Sequence, residues 1–525
     1  MFVKIAFLVV FVAITIAVGF VFRKRAGDVN SFVLGGRGVG PWLTAFAYGT
    51  SYFSAVVFVG YAGQFGWRFG VAATWIGIGN AVIGSFLPWV ILGRRTRVMT
   101  HHLGAKTMPE FFGERYGSLA LKIGASVVAF VFLIPYTASL YNGLSRLFVV
   151  AFGADSQSGF IVCVVVMAVL TGIYVVLGGY VATAVNDFIQ GVIMLAGIIA
   201  IVGSVLSVNG GFLNSLASLA AVPADAGQSG LAAAPGVFAS FFGPDPVGLA
   251  GVVILTSLGT WGLPQMVAKF YSIKSENDIA KGTIISTVFA FVVAGGCYFL
   301  GGFGRLFSGV AEINEKGVVY DSIIPNMLSG FPDVLMAVII VLVLSASIST
   351  LSSLVITSAS TFTIDFLKGN FVKKMTDKSQ LLIIRALIVV FIAISSVIAV
   401  IQYKGGFGFI AQLMGVSWGA LAGAFLAPFL YGLYWKRVTK PAVWASFIFS
   451  AALMTLNVFF QPSFPAIIRS PINAGAFAML AGLVIVPVVS RLTPKPDAAR
   501  TDAAFACYGK IVTADAAHVL KENGG

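Results

Sequence analysis

Long apolar stretches recur along almost the whole chain, and nothing in the sequence constrains its fold more. Read at about 20 residues per crossing, they predict thirteen membrane helices, over 3–22, 41–65, 71–92, 120–150, 158–178, 184–206, 247–270, 278–302, 333–364, 380–402, 408–434, 439–460 and 471–490. A backbone in hydrocarbon has no water to bond, so each crossing must satisfy its own N–H and C=O groups as a helix. With 58% hydrophobic and 10% charged residues, and a mean hydropathy of +0.97, the chain reads as an all-α polytopic membrane protein. Its 60 glycines suit close helix packing and interrupted helices. The first apolar run is followed by its basic residues and by no small-residue cleavage motif, so it reads as a first span.

The formal charge of +14 would suggest nucleic acid in a soluble protein. Here its distribution matters more. Most of the 33 Lys and Arg fall in one alternating set of loops, in clusters such as Arg23-Lys24-Arg25, Arg94-Arg95-Arg97, Lys269-Lys274-Lys281 and Lys436-Arg437-Lys440. The other side keeps Lys4, Arg68, Arg146, Arg305, Lys316, Lys404 and Arg469. The positive side is the cytoplasmic one. The N-terminus is therefore expected outside and the C-terminus inside, which an odd number of spans requires. Residues 207–246, rich in Gly, Ala, Ser and Pro, read as an outer connector that doubles as a lid. The tail 494–525 is too short for a catalytic domain, and no phosphate loop or metal-spaced Cys/His cluster occurs. Cys163, Cys297 and Cys507 are far apart, which fits neither a disulfide framework nor a metal site. His101 and His102 lie in a basic inner loop and read as solvated. An enzyme is not expected.

The stretch Leu342–Ile364 combines span length with a dense run of hydroxyls. Ser and Thr can bond back one turn along their own helix, and small polar residues let helices pack closely. Yet Ala346, Ser349, Thr350 and Ser353 share one face, with Ser352 beside them. Neutral oxygens that converge without thiol or imidazole suit a hard cation held weakly. We read this face as a sodium site.

Two spans carry breaks. The second contains Gly49-Thr50-Ser51-Tyr52-Phe53-Ser54, and the seventh Gly259-Thr260-Trp261-Gly262-Leu263-Pro264-Gln265. They lie five spans apart, at matching places in two halves, which is how inverted repeats mark a binding site. Asp187, early in the sixth span, admits two readings: a functional carboxylate inside the membrane, or a helix-start charge facing the cytoplasm. Asp365 reads as such a boundary charge.

With these residues in hand the sequence resembles the sodium:solute symporter family of bacterial proline, pantothenate, sialic acid and sugar symporters. The resemblance rests on Leu34-Gly35-Gly36-Arg37, on Thr107-Met108-Pro109-Glu110-Phe111-Phe112, on Gly178-Gly179 through Asp187 and Gln190, and on Ser345 through Ser353. It covers about residues 5 to 460. It implies a LeuT-type fold: a leading helix and loop (1–40), a first repeat (41–206), the outer loop (207–246), a second repeat (247–435), two trailing helices (436–493) and a cytoplasmic tail (494–525). It also implies a bacterial inner membrane, Na+ as the coupling ion and a small-molecule solute as partner. One sodium site of the family corresponds here to Thr50, Phe53, Ala346, Ser349 and Thr350. A second, found in some members, corresponds to Asp187, Ser349, Ser352 and Ser353. Proline transporters of the family carry an acidic residue where this chain has Tyr52, and the sialic acid branch uses a cavity arginine whose nearest counterpart is Arg146, at an outer helix end.

The solute cavity is expected between the two breaks, faced by Ser54, Tyr136, Trp261, Gln265 and Gln412. The expected function is import of a small polar organic solute, of the amino-acid or carboxylate class, by sodium-coupled alternating access. A solute sensor of the same fold and a proton-coupled carrier are the alternatives.

Overall fold

The computed structural model describes residues 2–153, 156–314, 317–368, 370–372, 375–403 and 410–508. Lys316, Lys373, Lys374, Lys404 and the segment 509–525, which enter the charge pattern, lie outside the described residues. The principal helices, in chain order, are α1 (Phe2–Phe22), α2 (Pro41–Tyr52), α3 (Val56–His102), α4 (Leu119–Phe152), α5 (Gln157–Val208), α6 (Pro246–Gly262), α7 (Pro264–Ser272), α8 (Asn277–Gly302), α9 (Asp333–Thr361), α10 (Asp377–Tyr403), α11 (Ile410–Tyr434), α12 (Lys440–Phe460) and α13 (Pro471–Leu492). A two-stranded hairpin, Glu312–Asn314 against Gly317–Val319, is the one sheet among the described residues.

Among the described residues ten helices are long and apolar enough to cross a membrane, or up to eleven if the bent pair α6 and α7 is one span. That count falls short of thirteen, and the difference lies in α3 and α5, of 47 and 52 residues. At 1.5 Å per residue each runs to about 70 Å or more, against a hydrocarbon core of about 30 Å. Each also turns at a glycine in a backbone region closed to other residues: Gly70 (φ 61, ψ −143) in α3 and Gly179 (φ 57, ψ −160) in α5.

The two expected breaks are present and alike. The Phe53 N–H donates to Gly49 O at 3.1 Å, and the chain then turns extended (φ −107, ψ 112). The Leu263 N–H donates to Gly259 O at 3.1 Å, and the chain turns extended there too (φ −78, ψ 121). Pro264 follows as the first residue of α7, where it needs no N–H, and the axes bend by 46°. Both breaks therefore read Gly-Thr-x-x-apolar, one in each half.

α9 is buried almost from end to end, whereas α1 buries only Phe11, Thr15 and Gly19. The hydroxyl-rich helix is therefore the axis of the bundle and α1 its periphery. α9 packs on α5, where the Tyr174 hydroxyl donates to Ile348 O at 2.9 Å. α3 meets α8 backbone to backbone: a Cβ on Gly66 would stand 2.1 Å from the Gly301 carbonyl.

The ends are tied differently from expectation. The outer connector holds a helix, Phe212–Ala220, and is pinned by a forked Arg305–Asp225 pair at 2.8 Å. Asp365 is not a solvated boundary charge. It is fully buried, accepts from the Thr107 hydroxyl and stands 3.4 Å from Lys122, which also reaches Glu110 at 3.5 Å. His101 and His102 end α3 rather than sit in a loop, and both are exposed.

Candidate functional site: where the first break meets the hydroxyl face

The α2 break lies against α9. Ser349 Oγ donates to Thr50 Oγ1 at 2.7 Å, and Thr50 Oγ1 donates in turn to Phe46 O at 2.8 Å. This chain of donation leaves the Ser349 lone pairs free. The Thr350 hydroxyl lies 3.1 Å from Thr50 O and 3.0 Å from Ala346 O. A hydroxyl has one proton; Ala346 O, mid-helix, also takes its own helix's backbone bond, whereas Thr50 O lies in the last turn before the break. The surplus is of electron-rich oxygen. Thr50, Phe53, Ala346, Ser349 and Thr350 are all buried, and Phe53 marks the point where α2 loses its helical bonding. Neutral oxygens in excess of donors, at a helix break, fit a sodium ion.

Asp187 is buried on α5, and neither carboxylate oxygen has a hydrogen-bond partner among the described residues. Its sixth-span carboxylate therefore faces the interior, not the cytoplasm. Ser352 Oγ turns back to its own helix, donating to Ile348 O (3.0 Å) and Ser349 O (2.8 Å). Ser353 Oγ lies 2.8 Å from Ser51 Oγ and receives a bond from Lys269 Nζ at 2.9 Å.

Lys269 is a correction. The charge pattern placed it in an inner loop, but it is 2% exposed on α7. Its ammonium lies 5.2 Å from the centre of the Tyr180 ring and interacts electrostatically with Asp187. A signal for it existed: Gln265, Lys269 and Ser272 recur at helical spacing, a polar stripe on one face of α7. The inner end of α7 is held in place, since Val39 N donates to Ser272 O at 3.2 Å and Arg97 Nε to Ile273 O at 3.0 Å.

The expected solute residues divide. Ser54 is buried beside the break and accepts from Val56 N at 3.3 Å. Tyr136 is buried with its hydroxyl unpartnered and its ring edge-on to Trp418, 5.9 Å between centroids. Trp261 Nε1 donates to Ile83 O at 2.8 Å. Gln265 has no partner on either amide atom among the described residues and faces a narrow inner cavity of about 30 Å³ shared with Lys106, Thr107, Tyr180, Lys269 and Ser353. Gln412 is half-buried in the first turn of α11. Trp418 was not anticipated. It stacks on Tyr52 (6.1 Å) and covers Gly259, where a Cβ would stand 2.3 Å from its ring. Tyr52 also donates to Thr256 O at 2.6 Å. Tyr52, Trp418 and Tyr136 thus bridge the two breaks with aromatic surface, and no motif announces a lone tryptophan in an apolar helix.

At the outer side Arg146 lies 3.9 Å from Asp321 and donates to Asn142 at 2.8 Å, so it serves a clasp at the outer end of α4 rather than the cavity. Asp321 also accepts from Ile410 N at 3.3 Å. Burial pushes its carboxyl above the ordinary carboxylate range, with Arg146 pulling the other way.

The family model described as the sodium:solute symporter family matches residues 32–449. The chain is similar to the osmoregulated proline transporter OpuE of Bacillus subtilis, with 27% identity over 483 residues, 90% of this chain and 92% of that one. It is similar to a sodium/proline symporter of Staphylococcus aureus, also with 27% identity, over 511 residues, 93% of this chain and 92% of that one. Among solved structures it is similar to a substrate-bound, outward-open Na+-coupled sialic acid symporter, with a TM-score of 0.73 at 16% identity over 95% of this chain and 99% of that one. It is also similar to MhsT in complex with L-phenylalanine, with a TM-score of 0.53 at 14% identity over 85% and 98%. These structural likenesses establish the LeuT-type fold.

Proposed function

The chain belongs to the sodium:solute symporter family and is a sodium-coupled membrane transporter of the LeuT-type fold; on that premise we propose that it imports a small polar solute of the amino-acid or carboxylate class. The observation that carries the ion site is the pair of buried carbonyls, Thr50 O and Ala346 O, sharing one Thr350 hydroxyl. In this reading Thr50, Phe53, Ala346, Ser349 and Thr350 hold the ion. Bound sodium would supply the positive charge that ties the α2 break to α9. The chain supplies the rest. The bonds from Ser349 and Thr350 to Thr50 join repeat 41–206 to repeat 247–435. Breaking and remaking that seam is what rocking of one repeat against the other requires.

Two curated relatives are named for proline. Tyr52, standing where proline carriers of the family are acidic, favours another member of the amino-acid or carboxylate class. The unpartnered Gln265 amide and Tyr136 hydroxyl are the polar groups offered to it, with Ser54, Trp261 and Gln412 as further walls. The charge bias of the loops supports an N-terminus outside and a C-terminus inside, with α3 and α5 each making two crossings, and the bacterial relatives support a bacterial inner membrane.

The test is ligand-induced thermal stabilisation of the purified protein against a small-solute library containing L-proline, in sodium and then in potassium. A solute that raises the Tm in sodium alone identifies the cargo and its coupling together. A solute shift of equal size in potassium would sink the ion assignment.

A further inference from the structure

We propose that the second cation position of this carrier is filled by its own chain: the Lys269 ammonium takes the place that Asp187, Ser349, Ser352 and Ser353 would otherwise offer a second sodium. This rests on the reading of Thr50, Phe53, Ala346, Ser349 and Thr350 as the first ion site.

Four observations carry it. Asp187 is buried without a hydrogen bond to either oxygen. A carboxylate in that setting needs a cation in its field. Lys269 is the buried cation at hand: it donates to Ser353 of the same second site at 2.9 Å, and its charge acts on Asp187 through space. Second, the Ser353 oxygen that a sodium ion would need is already committed. Ser353 Oγ receives Lys269 Nζ at 2.9 Å and pairs with Ser51 Oγ at 2.8 Å, while Ser352 Oγ faces two carbonyls of its own helix. Third, a metal ion added there would place two cations against one carboxylate where water does not screen them. Fourth, the ammonium is held in place. The Tyr180 ring lies 5.2 Å from it, and the Tyr180 hydroxyl pairs with Ser272 Oγ at 2.6 Å, one turn along α7. The cavity beside Lys269 is narrow, about 30 Å³, with room for about one water. Lys269 is therefore a tethered counter-ion, and the carrier binds one sodium.

The test is equilibrium binding of radioactive sodium to the purified full-length protein in choline buffer. Wild type should saturate at one sodium per chain. Lys269→Met, which keeps the side-chain length and removes the charge, should saturate at two. Lys269→Met combined with Asp187→Asn should return to one. Lys269→Gln repeats the measurement should the Met variant fail to elute as a single species. Two sodium ions on wild type would overturn the proposal, as would one on a well-folded Lys269→Met or Lys269→Gln. No sodium on wild type would overturn the first-site reading instead, and the gain or lack of gain on removing the Lys269 charge would still decide this one.

Discussion

Thr350 shows how much one side chain carries. Its hydroxyl is the single proton shared by the carbonyls of Thr50 and Ala346. Thr350→Val keeps the shape and removes the oxygen. Losing a partner at a buried polar group costs about 1–3 kcal/mol, so sodium affinity should fall roughly five- to a hundredfold. A sodium titration of the melting temperature reads this directly. Asp187 and Lys269 call for a cycle rather than a single change. Asp187→Asn leaves a buried ammonium without its counter-charge and should lower stability, and Lys269→Met does the converse. The double variant should recover part of the loss, with a coupling on the order of 0.5–3 kcal/mol by thermal or denaturant unfolding. Additive losses would show that the two charges do not meet. The hydroxyl face was legible because a helical period can be counted in a sequence, and so was Asp187 as a carboxylate within a span. Lys269 was not. A lysine near the end of an apolar run looks like a loop charge until the bend at Leu263 is known to turn it onto α9.

At the scale of elements, the two breaks are the most legible feature and the ties between helices the least. Gly-Thr-x-x followed by an apolar residue can be found by eye, and both instances end in the same carbonyl bond and extended turn. The aromatic bridge of Tyr52, Trp418 and Tyr136 joins three helices distant in sequence, and no local pattern encodes it. The same holds for the outer clasp, where Asp321 reaches Arg146 of α4 and Ile410 of α11. Burial raises the Asp321 carboxyl, so the folded protein takes up this proton more readily than the unfolded chain. Its contribution to stability therefore grows as pH falls through that raised value and levels off below the ordinary carboxylate range. Asp321→Asn fixes a neutral group and should flatten this part of the Tm–pH curve. An unchanged curve would mean that Asp321 does not titrate there.

For the whole molecule the question is how much work a transport cycle can do. A 100 mV potential is worth about 2.3 kcal/mol for each elementary charge moved, roughly fortyfold in concentration. With sodium equal on both sides, a zwitterionic solute carried with one sodium should accumulate in sealed proteoliposomes to that ceiling at most. A carrier moving two sodium ions would reach the square of it, and accumulation beyond the first ceiling would exclude single-ion coupling. The lysine seated on Ser353 thus has a consequence far from its own surroundings. A charge bolted to the protein returns empty-handed with every cycle and draws nothing from the ion gradient. The carrier gives up concentrating power. In exchange, the cell has one sodium fewer to expel for each molecule it keeps.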